Sequence, residues 1–190
     1  MARPKAQDFP QIYTRLGMEL GHFGCIMLDV EPIDVREMLG VDDEWFYFSK
    51  NPQLKYVKGP VAATSAHATL LYGLTPDDNA GVAQKASVDE LLDGLDLSQV
   101  TVDTIDTFPP QYNESYACVV AKLGTDYDLG EANRRLRFLP HIDTFVDFVP
   151  HVTLAYVDED KIGEALSKFA DKLEGVTIPA IGINYGGPIQ

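Results

Sequence analysis

Apolar and polar positions along this chain alternate between short apolar runs and helical stripes. Gly21–Val30 (Gly-His-Phe-Gly-Cys-Ile-Met-Leu-Asp-Val) is mostly apolar and of strand length, and predicts a first buried strand. Pro32 then opens a short helix with Val35, Met38 and Leu39 on one side and Gly40 as its stop. Trp45–Phe48 fits a strand or a packed turn equally, and Lys50–Pro60, with two prolines and a glycine, reads as a loop. Val61–Leu74 is the next strand-bearing segment, and Thr75–Asn79 a turn. Ser87 with Glu90 three residues later forms a capping box, which predicts a helix starting there over Leu91, Leu92 and Leu95. Val100–Phe108 and Tyr116–Leu123, joined by a Pro-Pro-Gln-Tyr-Asn turn, predict an antiparallel pair. Asp128 caps a helix running to about Leu139, before Pro140. Phe145–Val157 is strand-bearing, Asp158–Leu173 is an amphipathic helix (Ile162, Ala165, Leu166, Phe169, Leu173) ended by Gly175, and Val176–Tyr185 is a last strand. The order is roughly β-α-β-β-α-β-β-α-β-β, an α+β layout of sheets backed by helices.

Two of the strand segments carry nearly the same word. His67-Ala68-Thr69-Leu70-Leu71-Tyr72 and His151-Val152-Thr153-Leu154-Ala155-Tyr156 both read His-x-Thr-Leu-x-Tyr, and they use two of the chain's four histidines. Each is followed by a turn and a helix, a recurrence that suggests an internal duplication within one domain over residues 1–190. In a strand, residues i and i+2 project from the same face, roughly 7 Å apart. His67 and Thr69 then share a face, as do His151 and Thr153, while Leu70, Tyr72, Leu154 and Tyr156 fall on the opposite, packed face. If the two strands lie side by side, two imidazoles and two hydroxyls converge.

That set is suited to phosphoester chemistry. Imidazole titrates near neutrality, so a pair supplies one base and one acid together. A phosphodiester reaction needs a base for the attacking hydroxyl or water and an acid for the departing alkoxide. Threonine hydroxyls can donate to the non-bridging oxygens, where charge builds in the transition state. No Cys/His spacing of a zinc site is present, although Asp143 and Asp147 could approach the second word. His22 and His141 lack such a context and read as structural or surface residues.

Charge narrows the object. A net charge of −14 argues against extended DNA or RNA, which needs a basic surface, but permits a small nucleotide. Residues Met1–Asp8 carry no apolar stretch of a signal peptide and no run approaches membrane-spanning length, so a cytoplasmic protein without a membrane partner is expected. Cys25 and Cys118 each sit in an apolar strand-like run and read as buried thiols rather than a disulfide.

At the two His-x-Thr words the chain resembles the 2H phosphoesterase superfamily, whose members carry two His-x-Thr/Ser motifs. The resemblance implies the bilobal α+β 2H phosphoesterase (LigT-like) architecture, and a hydrolase that needs no metal or other cofactor. It implies His67 and His151 as the acid/base pair, in either assignment, and Thr69 and Thr153 as phosphate ligands. The His-Ala-Thr-Leu-Leu-Tyr-Gly form of the first word most resembles the phage anti-CBASS group. That likeness implies 3′-5′ cleavage of small cyclic di- or trinucleotides; a 2′-5′ oligonucleotide or RNA 2′,3′-cyclic-phosphate phosphodiesterase and a non-catalytic nucleotide-sequestering protein are the alternatives.

Substrate-binding candidates lie ahead of the first word. Lys50, Lys55 and Lys58 share a loop with Tyr56 and no acidic residue, which reads either as a phosphate-gripping, base-stacking lid or as a solvated loop. Trp45 and Tyr47 share one face of their segment and could stack a base or pack in the core. Arg134, Arg135 and Arg137 read as a solvated helix face with a lesser chance of touching phosphate.

Overall fold

The computed structural model describes residues 24–74, 80–110, 114–125, 127–141 and 147–186, and among them are six strands and four α-helices. In chain order these are β1 (Gly24–Val30), α1 (Val35–Leu39), β2 (His67–Leu74), α2 (Ala80–Leu92), β3 (Gln99–Phe108), β4 (Tyr116–Leu123), α3 (Tyr127–Leu136), β5 (His151–Asp158), α4 (Ile162–Leu173) and β6 (Thr177–Gly186). Every pairing is antiparallel, and the strands close a ring in the order β1-β2-β5-β4-β3-β6. One face of the sheet is apolar and covered by helices. Ile26, Leu28, Leu70, Val119 and Leu154 from the strands pack there with Leu129 and Leu136 of α3 and Ala165 and Phe169 of α4. The face bearing the histidines is the other one.

The ring order explains the duplication. The chain divides into two β-α-β-α-β repeats, β1–β3 and β4–β6, and exchanging them leaves the ring of strand adjacencies unchanged. The repeats interlock: β3 pairs with β4 of the second repeat, and β6 with β1 of the first. Each three-stranded half, β6-β1-β2 or β3-β4-β5, therefore takes one strand from the other repeat. The halves meet at two seams, β2–β5 and β3–β6.

Local signals placed most elements, with several corrections. Gly40 closes α1 in the left-handed conformation (φ 64°), which a residue without Cβ adopts at no cost. Ser87 lies inside α2 and is not its N-cap. The helix begins at Ala80 in a stretch of good helix formers whose sequence lacks an amphipathic stripe, and Leu95 falls beyond its end. Helix α3 stops at Leu136 and continues only as turns to Leu139. A single 3-10 turn, Glu159–Lys161, separates β5 from α4, so the helix starts four residues after Asp158. Strands β2 and β5 begin at their histidines, later than the apolar runs suggest. The Trp45–Phe48 stretch is a 3-10 turn (Asp43–Trp45) followed by one bridge from Phe48 to Lys58. Its aromatics separate: Trp45 packs on Phe169 in the main core, whereas Tyr47 stacks on Tyr116. Cys25 and Cys118 are both thiols, half-buried rather than buried. His22 and the Thr75–Asn79 turn lie outside the described residues.

Candidate active site

Strands β2 and β5 are neighbours, joined at the pair Ala68–Val152. Antiparallel register carries this pairing outward, so His67 faces Thr153 and Thr69 faces His151. Ala68 and Val152 are fully buried on the helix-covered face, while all four of their His and Thr neighbours are half-buried on the other. The repeated word thus forms a four-residue square about a pseudo-twofold axis, with histidines on one diagonal and threonines on the other. Opposite residues in such a pair stand about 4.5–5.5 Å apart.

Past the threonines, parity breaks at the same place in both words. Thr69 pairs with Met27 but Leu71 with the adjoining Ile26, leaving Leu70 as an extra residue. In β5, Thr153 pairs with Val120 but Ala155 with the adjoining Val119, leaving Leu154 as the extra. These are β-bulges, and each shifts the face of every later residue. Leu70 and Leu154 do pack in the core, but Tyr72 and Tyr156 return to the histidine face, contrary to strict alternation. Tyr156 meets the ring of Tyr116 at 5.6 Å, and Tyr116 stacks on Tyr47 at 5.3 Å. A thiol joins this wall to the square: Cys118 is hydrogen-bonded by the hydroxyls of Thr153 and Tyr156, and burial pushes it up to about 11.

The two imidazoles have different surroundings. His67 Nδ1 lies 3.3 Å from Ser65 Oγ, and Asp29 is its cross-strand partner on β1. His151 Nδ1 donates to the Val149 carbonyl (2.9 Å), Lys122 on β4 is its cross-strand partner, and Phe108 meets its ring edge-on at 4.7 Å. Burial lowers both histidines from their usual value. The Asp29 carboxylate opposes that for His67; for His151 the Val149 carbonyl opposes it, and the charges of His67 and Lys122 add to it.

Of the loop candidates, the structure brings Tyr47 and Tyr56 toward this wall and leaves Lys55 and Lys58 exposed. Tyr56 is half-exposed and close enough to Tyr156 to act on it electrostatically. Tyr47 donates to Glu114 (2.7 Å), which with burial pushes its phenol up to about 12. The loop itself is anchored. Leu54 and Val57 are fully buried beneath it, and its backbone pairs with β5 through Tyr47 N to Tyr156 O (2.8 Å) and Tyr156 N to Gly59 O (2.9 Å). It fills the gap where β5 leaves β2. Arg134 and Arg135 bind Glu131 on α3, a helix tied by Asn133 to the Leu70 carbonyl, and do not reach the histidine face. Among the described residues no group of three His, Cys, Asp or Glu side chains could hold a metal ion; Asp147 is exposed and Asp143 lies outside them.

Asp29 and Lys122 escaped the sequence reading, yet a signal for them exists. Cys25-Ile26-Met27-Leu28-Asp29-Val30 and Cys118-Val119-Val120-Ala121-Lys122-Leu123 are a second repeated pattern, one cysteine, three apolar residues, one charge and one apolar residue. The ring places them on equivalent strands, β1 and β4.

No protein-family model matches the sequence, and no curated protein matches it. Solved structures do share the fold. Usb1 from Kluyveromyces marxianus superposes with a TM-score of 0.53 at 7% identity, over 87% of this chain and 94% of that one. The same protein with uridine monophosphate gives 0.52 at 8% identity and equal coverage. At such identities the likeness is one of fold alone: the expected antiparallel α+β architecture is the one found. None of the described helices is long and apolar enough to cross a membrane.

Proposed function

We propose that this chain is a metal-independent phosphodiesterase of the 2H type, acting in the cytoplasm on a small nucleotide. The observation that carries the reading is the Ala68–Val152 register, which sets two His-Thr pairs against each other on one face. One imidazole takes the proton of the attacking oxygen, the other protonates the leaving oxygen, and Thr69 and Thr153 donate to the non-bridging oxygens as charge develops. The tyrosine wall beside Thr153, with Tyr47 and Tyr56, is positioned to receive a base, and Lys55 and Lys58 stand at the same loop to meet a further phosphate.

The net charge of −14 favours a compact ligand over a long polyanion. The substrate proposed is a small cyclic oligonucleotide, cleaved at 3′-5′ linkages as in phage counter-defence against CBASS-type signalling. A second reading, an RNA-end or 2′-5′ phosphodiesterase, is favoured by one observation, the shared fold with Usb1, which has been seen with uridine monophosphate.

The test is turnover of cyclic dinucleotides, cyclic trinucleotides, 2′-5′ oligoadenylate and 2′,3′-cyclic-ended RNA in EDTA. Cleavage of the cyclic oligonucleotides, reduced about 10²–10⁴-fold by His67→Ala or His151→Ala, is the expected result. Preference for the RNA end supports the second reading. Binding without turnover would make the chain a sequestering protein, and loss of activity in EDTA would end the metal-free mechanism.

A further inference from the structure

The duplication that places the two histidines inverts the charge beside them. In the first repeat Asp29 stands across from His67, and Asn184 of β6 donates to its carboxylate (2.9 Å). In the second, Lys122 stands across from His151 and is ion-paired with Asp106 of β3. The correspondence is residue for residue. Asn184 pairs with Met27, two before Asp29; Asp106 pairs with Val120, two before Lys122. Asn184–Asp29–His67 and Asp106–Lys122–His151 are thus one constellation built twice, anionic beside one imidazole and cationic beside the other.

A carboxylate beside an imidazole favours its protonated form, and an ammonium disfavours it. Among the described residues, His151 also feels the charge of His67, which disfavours double protonation. With one proton between them, His67 is the favoured holder. His151, its Nδ1 hydrogen committed to the Val149 carbonyl, keeps its lone pair on Nε2 when neutral. Resting on the phosphodiesterase reading above, the geometry points to fixed and unequal roles in the first step: His151 is the base and His67 the acid, with Asp29 and Lys122 as the positioning residues that divide them.

The step balances as follows. A ribose 2′-hydroxyl loses its proton to His151 Nε2 as the O2′–P bond forms. The P–O5′ bond breaks, and His67 delivers its proton to O5′. The products are a 2′,3′-cyclic phosphate and a 5′-hydroxyl, with His151 now charged and His67 neutral. Opening of the cyclic phosphate by water reverses both transfers and restores the starting state.

Two substrates with one nucleophile and one phosphorus separate these roles. UpU leaves as an alkoxide that needs a proton; uridine 3′-(4-nitrophenyl phosphate) leaves as a nitrophenolate that does not. His67→Ala should lose about 10²–10⁴-fold on UpU but tenfold or less on the nitrophenyl ester, while His151→Ala loses at least 10²-fold on both. Wild-type turnover with the opposite pattern, or equal losses for both variants on both substrates, overturns the assignment and leaves the phosphodiesterase reading standing. Wild-type turnover of neither substrate, and of none of the cyclic, 2′-5′ and RNA-end substrates above, removes that reading and the assignment with it. NMR titration of the imidazoles provides a readout that a merely structural role would not move. Asp29→Asn should lower the midpoint of His67 more than that of His151, and Lys122→Met should raise that of His151 more than that of His67. Midpoints unmoved, or moved the other way, refute the division.

Discussion

Leu54→Ala tests whether the lysine-bearing loop is part of the protein body. Leu54 is fully buried in a satellite cluster with Val57 and Tyr116, against which Tyr47 and Tyr156 pack. Truncation removes three carbons, about 2.4 kcal/mol of transfer free energy at about 0.8 kcal/mol each. A cavity adds to that, but Tyr47 and Tyr156 are only half-buried and can relax inward, so the cost should lie near 2–3 kcal/mol, in the lower part of the usual 2–5 range. For a chain of this size that lowers Tm by roughly 4–12 °C. Thermal and urea denaturation followed by circular dichroism measure it, and trypsin cleavage at Lys50, Lys55 and Lys58 should accelerate. Gly59→Ala probes the same loop differently. Gly59 sits at φ 50°, and a Cβ would come within 2.5 Å of the Phe48 ring. That ring is 44% exposed and can swing aside, so the cost is mainly the positive φ, about 1 kcal/mol. If Leu54→Ala leaves Tm within about 2 °C, the loop is a detached lid and the anchoring argument is wrong.

Thr69→Val and Thr153→Val, which keep shape and remove a donor, should each lower kcat on the best substrate by about 10²–10³-fold with little change in melting; an unchanged kcat would remove them from phosphate binding. Burial holds both site histidines below 6.5 in the folded protein, so the unfolded chain takes up protons first. Stability present above pH 6.5 should therefore be lost as pH falls below it, and urea midpoints measured between about pH 7 and pH 5 should decline less in a His67→Gln, His151→Gln double variant. At pH 8 a thiol at about 11 is ionised in about one molecule per thousand, so alkylation of Cys118, followed by mass spectrometry, should run a hundredfold or more slower than that of an ordinary cysteine.

The elements with strong local grammar are legible in the chain itself: the short helix closed by Gly40 (though it starts at Val35 behind an Asp34 cap, not at Pro32), the Ile162–Leu173 stripe, and Val100–Phe108 against Tyr116–Leu123 as a hairpin pair. Helix α2 starts earlier than its sequence predicts because its first half carries no amphipathic signal and the Ser87–Glu90 pattern imitates a start. The words at His67 and His151 were legible because they are short and repeated. The tyrosines within them lie on the face opposite to the one alternation predicts, because alternation assumes an unbroken ladder. A bulge depends on what the partner strand does, and the partners Ile26 and Val119 belong to distant parts of the chain.

The sequence by itself determined which side chains could do the chemistry, two His-Thr pairs in a duplicated α+β chain of net charge −14. It also determined that each pair projects from one face, because the period of two is a property of the backbone. Only the tertiary structure decided that the pairs meet, since the register Ala68–Val152 joins residues 84 positions apart (152 − 68). It alone set Asp29 against His67 and Lys122 against His151, making two nearly identical words electrostatically unequal. The physical reason is that spacing along a strand is local, whereas register and the charge that acts across it come from whichever strand packs alongside.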